Sequence, residues 1–522
     1  MLYRAEYTGD PAMQVRKIKR GKELLILDKV FPTQHIMTVS LLAMAAYLVL
    51  FLCYSSFKKK NALRLPTDDH SDRSRFLVGF MLFAAFAVRI ALSCYLEGHK
   101  TDIGCFTVWG NNLASGGFKS FYNPSSGMPD YPPGYMYILG LMSSIAHAFG
   151  RGVYDSFGNY DLVYVAFIKL PSIIADLAAA YLVYRLAVKR LRFAPAFLLS
   201  ALVAFHPVML YISGGWGQID QILTILIVLA ILALNSNKPI LGGVIYGFAI
   251  LMKPQALMVG PLMALAYFLY IFDPDFFKNS EYTCKDDMTK RLVKTAIAVA
   301  AAVALIIISA IPFATKELPL FKLVWNKYLG TATSYKFASV NAYNIFTLFG
   351  KNWTRLDSEP ILGTLGTLGM IVSVAFGGVL YWFGRKKNRG ALYLAAAFTF
   401  VSLFTLGHYM HERYMFPMLL LLVMAYLYYH DSRLLYAMLA YTATAMVNCV
   451  AAFYYSKYHE FGLYWDDRIV FWCSLANVLL FIAFTALLIH IMIIGKTKGD
   501  VFDGKDDSEA ELIGGSGSVK AK

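Results

Sequence analysis

Residues 390–429 read GALYLAAAFTFVSLFTLGHYMHERYMFPMLLLLVMAYLYY. Two apolar runs, 390–407 and 414–429, are divided by the polar cluster His408-Tyr409-Met410-His411-Glu412-Arg413. Roughly 17–25 apolar residues suffice to cross roughly 30 Å of hydrocarbon as a helix, whose backbone satisfies its own hydrogen bonds in lipid. The same pattern recurs along the chain. Segments suited to span or embed in a bilayer fall near 36–57, 77–97, 133–150, 161–186, 197–212, 218–235, 239–255, 256–272, 292–314, 360–384, 390–407, 414–429, 433–456 and 468–495. This predicts an all-α polytopic transmembrane protein with about 13–14 embedded helices. Composition agrees, because 58% of the 522 residues are apolar, against roughly 45–50% in soluble domains.

Only 16% of residues are charged, and the net charge of +15 is spread over short loops such as Phe57-Lys58-Lys59-Lys60 and Arg385-Lys386-Lys387-Asn388-Arg389. That distribution points to anionic lipid headgroups and away from nucleic acid. The six cysteines have no CxxC pair and no zinc-like spacing, so neither a metal site nor a disulfide framework is predicted. The first 35 residues are polar and basic without a signal-peptide core, and 496–522 reads as a disordered cytoplasmic tail. Between them, 36–495 forms one transmembrane domain, interrupted by hydrophilic stretches at 98–132 and 315–359. Loops of that length in a compact protein are usually functional, and short amphipathic helices are expected in both. The Lys/Arg bias assigns 58–76, 187–193, 385–389 and 496–498 to the cytoplasm, which sets His408–Arg413 at the external face. Three candidate spans separate 58–76 from 187–193, and three crossings cannot return to one side; 133–150, opening on Pro132-Pro133, is the segment expected to be shallow or re-entrant. The side of the N-terminus stays open.

An ionisable residue at membrane depth is a functional candidate by default, and five places qualify. Asp102 follows helix 77–97 within Gly98-His99-Lys100-Thr101-Asp102, where a carboxylate can meet both a lipid-borne and a soluble ligand; a helix-capping Asp is the plain alternative. Asp130-Tyr131-Pro132-Pro133 makes a rigid entry into an apolar helix. Gly214-Gly215-Trp216-Gly217-Gln218-Ile219-Asp220 is a Gly-rich connection carrying an amide and a carboxylate, or merely a tight turn. Lys253-Pro254-Gln255 puts a lysine beside a proline that frees backbone carbonyls, though Lys253 could simply snorkel. In the fifth, His411-Glu412-Arg413-Tyr414-Met415 lacks the second histidine of HExxH, so zinc is disfavoured. His411 and Arg413 suit a phosphate instead, the arginine by its planar fork and permanent charge; a salt-bridged loop is the competing account.

With these residues in order, the chain resembles membrane glycosyltransferases of the GT-C superfamily, and most of all the dolichol-phosphate-glucose α-1,3-glucosyltransferases of the N-glycan precursor pathway and their bacterial relatives. The likeness runs through Asp102 and Trp109, Asp130-Tyr131-Pro132-Pro133, Leu170-Pro171-Ser172-Ile173-Ile174-Ala175-Asp176, the turn at 215–220, Lys253 and Gln255, Val340-Asn341-Ala342-Tyr343-Asn344 and Met410-His411-Glu412-Arg413. It covers roughly residues 95–420. His411-Glu412-Arg413 stands where the eukaryotic enzymes tend to carry His-Glu-Lys, a form closer to the bacterial members, so a bacterial cell membrane is favoured over the endoplasmic reticulum. The resemblance implies inverting hexosyl transfer from a polyprenyl-phosphate donor to a hydroxyl of a lipid-linked glycan, wall polymer or protein, at the external face and without a cofactor. Asp102 would be the base, and His411, Arg413 and Lys253 would hold the donor phosphate. Trp109, Asp130, Tyr131, Trp216, Gln218, Asp220, Gln255, Asn341, Asn344, His408 and Glu412 would contact substrate. A sugar hydroxyl needs its proton removed during attack, and a departing phosphate needs donors in a low-dielectric site. No βαβ unit with a Gly-rich phosphate turn is evident for a nucleotide sugar.

A secondary transporter or lipid-linked sugar flippase would also fit broken helices with a few buried charges, but the chain shows no internal repeat and has two long loops rich in Tyr and Trp. A non-catalytic scaffold would not require Asp102, His411 and Arg413 to converge.

Overall fold

The computed structural model describes residues 33–60, 72–119, 121–123, 129–154, 160–277, 284–330, 336–458 and 467–497. Most of the basic N-terminal segment, most of the 58–76 loop and nearly all of the C-terminal tail lie outside the described residues. The helices in order are α1 Thr33–Lys60, α2 Asp72–Tyr95, α3 Lys100–Gly116, α4 Pro133–Ala148, α5 Leu162–Ala187, α6 Phe193–Ala204 and α7 Pro207–Leu210, which continues as a π-helical turn Tyr211–Trp216. Then come α8 Asp220–Asn235, α9 Pro239–Met252, a 3-10 turn Pro254–Val259 leading into α10 Gly260–Phe272, α11 Met288–Ala310, α12 Leu320–Trp325 and α13 Ile345–Leu348. The chain ends with α14 Pro360–Gly384, α15 Ala391–Leu406, α16 Pro417–Tyr429, α17 Ser432–Tyr458 and α18 Asp467–Leu488. Every apolar segment read from the sequence falls on helix, and the described residues carry isolated β-bridges rather than strands.

Eight of these helices are long and apolar enough to cross a membrane, and a ninth span forms if the pair Phe193–Ala204 and Pro207–Trp216, bent by 41°, counts as one. The bend has a local cause. His206 precedes Pro207 and adopts extended backbone, φ −64° and ψ 121°, because a residue before proline is pushed out of the helical region. The Ala204 carbonyl freed by the break accepts from Arg89 Nη1 at 2.8 Å. Arg89 Nε in turn donates to Asp176 Oδ2 at 2.7 Å, with both side chains fully buried.

The hairpin of α3 and α4 bears on the count of crossings. The two helices pack on each other, and neither has the length and hydropathy of a spanning helix, whereas α2 and α5 both do. Three of the basic stretches, 187–193, 385–389 and 496–498, are tied to the same end of the bundle: Arg190 lies 4.5 Å over the Tyr428 ring, Asn388 Nδ2 donates to Tyr428 O, and Arg433 Nη2 donates to Lys496 O. We call this the basic end.

Four apolar helices, α8, α9, α15 and α16, have only 16, 14, 16 and 13 residues. At 1.5 Å per residue they rise about 20–24 Å, less than the roughly 30 Å of hydrocarbon. Their length suits the middle of the bundle: α15 and α16 are buried almost all round, whereas the long α11 is largely exposed along its apolar length. At the basic end α8 and α15 meet through Asn235 and Arg389, so their shortness falls on the opposite ends, where the loops carry Trp216–Asp220, Lys253 and His408–Arg413.

Candidate active site

Asp102 sits in the first turn of α3, the position a capping carboxylate would favour, but its oxygens turn away from its own helix. Oδ2 accepts from Trp216 Nε1 at 2.6 Å and from Gln218 Nε2 at 2.7 Å. Arg413 Nη2 and His99 Nδ1 approach the same oxygen at 3.6 and 3.7 Å. Two glycines let these segments meet. Gly98, at φ +119°, lies where a Cβ would come within 2.9 Å of Trp216 O, and Gly217 takes the left-handed φ of +88° that turns Gln218 back toward α3. Burial pushes the Asp102 carboxyl upward, but Arg413, His99, Gln218 and Trp216 outweigh it and hold the group below the ordinary carboxylate range. The side chain keeps 20% of its exposure, so an incoming molecule can reach it.

Arg413 joins the two halves of the site. Its guanidinium reaches Asp102, lies 3.6 Å through Nε from Asp220 Oδ2, contacts Glu412 and sits 5.4 Å over the Trp216 ring. Asp220, at the start of α8, takes its other oxygen to Lys253 Nζ at 2.8 Å. Lys253 closes α9 in extended backbone, φ −153°, because Pro254 follows it. Three carboxylates thus surround two cations. His411 is pushed down to about 3 by burial and by Arg413, so at neutral pH its ring carries no charge and one N–H. Burial pushes the Glu412 carboxyl up against the pull of Arg413.

The 407–413 loop is held by the second hydrophilic stretch. Val340 N donates to Met410 O at 2.9 Å, and Val340 and Asn341 bridge His411. Asn341 sits at φ +58°, its side-chain oxygen accepting from Trp353 Nε1 at 2.8 Å and Asn352 Nδ2 at 3.1 Å. Asn448 on α17 donates to Asn341 O at 2.7 Å.

Seven of the residues read from sequence therefore converge: Asp102, Trp216, Gln218, Asp220, Lys253, Glu412 and Arg413. Tyr131 joins them by donating to Gln218 Oε1 at 3.0 Å, with Lys253 Nζ 6.0 Å from its ring centre. Trp109, two turns along α3 from Asp102, packs 6.1 Å from Tyr131. Asp130 is pushed up by burial, its own backbone, Lys327 and Lys253 opposing, and Lys327 bonds Pro129 O while lying 4.4 Å over Tyr122. Gln255 Oε1 is buried without a hydrogen-bond partner among the described residues. Two residues expected at the substrate are instead engaged within the protein. Asn344 is fully buried and spends its amide on Phe346 N, Thr347 N, Phe404 O and Gly407 O. His408 is buried against α14, bonded to Thr367. Trp216 and Gln218 likewise give their donors to Asp102 and Asn341 gives its side chain to its own loop, so these three hold other groups in place. Sequence reading passed over His99, whose ring stacks on Trp216 at 4.4 Å and 2°. Its spacing three residues before Asp102, on the same helical face, was the available signal.

Residues 124–324 match the model of the ALG6, ALG8 glycosyltransferase family. The chain is a membrane glycosyltransferase. The matched stretch contains Asp130, Tyr131, the turn at 215–220, Lys253 and Gln255; Asp102 and His411–Arg413 lie outside it and join it through the contacts above. No curated protein matches the chain. A glycosyltransferase of this kind works on a lipid-linked sugar donor and a glycan acceptor in the bilayer.

Proposed function

We propose that the chain transfers a hexose from a polyprenyl-phosphate donor to an acceptor hydroxyl at the external face, with inversion at the anomeric carbon and Asp102 as base. The observation that carries this reading is the meeting of Asp102, partly exposed, with Arg413 at 3.6 Å at the ends of short helices. Asp102 takes the hydroxyl proton as the acceptor oxygen forms its bond to the anomeric carbon. The bond from that carbon to the phosphate oxygen breaks on the opposite face, and the phosphate leaves with the electron pair. The charge gathering on the phosphate is met by Arg413, Lys253 and the His411 N–H. Without donor, Arg413 holds Asp102 too acidic for a good base. A donor phosphate competes for the guanidinium and so restores the carboxylate's basicity, which couples base strength to donor binding.

The external face follows from the Lys/Arg bias, since the basic end lies at the other tips of the helices that carry the site. The bacterial cell membrane and the endoplasmic reticulum both present such a face; the His411-Glu412-Arg413 form supports the first. The test offers purified protein a panel of polyprenyl-phosphate hexoses and nucleotide hexoses with a hydroxyl acceptor. Product from a polyprenyl-phosphate hexose only, with the anomeric configuration opposite to the donor, is expected. Turnover of a nucleotide hexose, or retention of configuration, would refute the reading.

A further inference from the structure

Lys169 is a cation inside the span α5, fully buried, and none of the ion pairs among the described residues includes it. Its ammonium donates to Leu96 O at 2.6 Å, Gly215 O at 3.0 Å and Gly214 O at 3.1 Å. Three N–H donors meet three carbonyls, the full capacity of the group. The acceptors come from two places. Leu96 lies just past the C-terminus of α2, where helix carbonyls have no partner of their own and the macrodipole favours a cation. Gly214 and Gly215 belong to the π-helical turn that leads into Trp216 and Gln218.

We propose that Lys169 is a positioning residue for Asp102: it ties the strand of chain that carries the base to the turn that carries the base's two hydrogen-bond donors. The reading rests on the function proposed above. Around the lysine the two segments touch along a short seam. His99 N donates to Trp216 O at 3.2 Å, Ser93 Oγ donates to Gly214 O at 3.1 Å, and a Cβ on Gly217 would meet Lys169 Cγ at 3.2 Å. From the other side of the turn, Ser213 Oγ donates to Asp176 at 2.5 Å, two helical turns further along α5. One helix therefore sets the turn twice, and its lysine also grips the α2–α3 connection at Leu96. Without it, three buried carbonyls lose a charged donor, the seam opens, and Trp216 and Gln218 drift from Asp102.

The test uses the full chain in lipid nanodiscs with Lys169→Met, which keeps the length of the side chain and removes the donors, and Ser93→Ala as a milder cut at the same seam. Hydrogen exchange should rise in 96–102 and 211–218 together and stay unchanged at the basic end. Turnover should fall about 10–100-fold, the size of a misplacement near 1 Å, with donor KM within about threefold. The acid limb of the pH profile should move up, because a carboxylate that loses two donors becomes easier to protonate. Ser93→Ala should show the same pattern, smaller. Unchanged exchange in both stretches overturns the clamp. Raised exchange with wild-type turnover, or a loss of turnover with an unmoved acid limb, overturns the positioning role. The exchange experiment needs no substrate, so a wild-type chain inactive on every donor would sink the proposed function while exchange still judges the clamp.

Discussion

The two ends of the bundle hold their charges in opposite ways. At the basic end each of three arginines has a near partner: Arg385 with Asp273 at 2.9 Å, Arg433 with Asp431 at 2.6 Å, and Arg389 with the Asn235 carbonyl at 3.3 Å. These partners are helix ends or a neighbouring carboxylate, the arrangement that caps and orients a span. At the other end Asp102, Asp220 and Glu412 compete for Arg413 and Lys253, and Arg413 reaches none of Asp102 or Asp220 closer than 3.6 Å. Like charges crowded together cost stability, and the sequence retains them there. The contrast sets cations that tie helix ends against cations shared among several carboxylates.

The same substitution made at each end should break the symmetry of chemistry but not of charge. Asp102→Asn is expected to lower turnover by about 10²–10⁴, the value of general-base assistance, with the melting temperature within a few degrees; Asp273→Asn should leave turnover within about twofold. Parallel kinetics and thermal unfolding check both. Next in size, Arg413→Lys keeps the charge and loses the fork, so kcat/KM should fall about 10–100-fold, the effect of one or two charge-assisted hydrogen bonds. Arg385→Lys, measured alongside, should alter it little.

A smaller and sharper effect concerns His411. Free protein should show its ring titrating at about 3, so the histidine is neutral throughout the working range. An anionic donor phosphate beside it favours the protonated ring and raises that value. Donor affinity should then increase as pH falls through the bound-state value, and NMR of labelled histidine with and without a polyprenyl-phosphate hexose reads the shift. A His411 resonance unmoved by donor would remove it from the phosphate site and shrink the contrast between the two ends.

Much of the fold was legible because apolar run length and helix length obey the same constraint in lipid. The four short helices were legible as segments, but not the end at which their shortness falls, since that depends on their neighbours. The charges that meet in the candidate site were legible where they bordered long apolar runs, as at Asp102, Lys253 and Arg413. The engagement of Asn344 was not legible, because an asparagine that caps a short helix and one that binds a sugar look alike in a polar loop. Lys169 was overlooked for the opposite reason: it lies in the apolar run before Leu170-Pro171, where a single lysine in a span was itself the signal.

Sealed proteoliposomes carrying a polyprenyl-phosphate hexose labelled in the sugar test the central claim most directly. With acceptor on the side of Asp102 and Arg413, the account predicts that label leaves the lipid and free polyprenyl phosphate appears in equal amount, and that Asp102→Asn blocks both. Movement of the intact labelled lipid between leaflets, with no release of polyprenyl phosphate, would contradict it and make the chain a carrier of its donor.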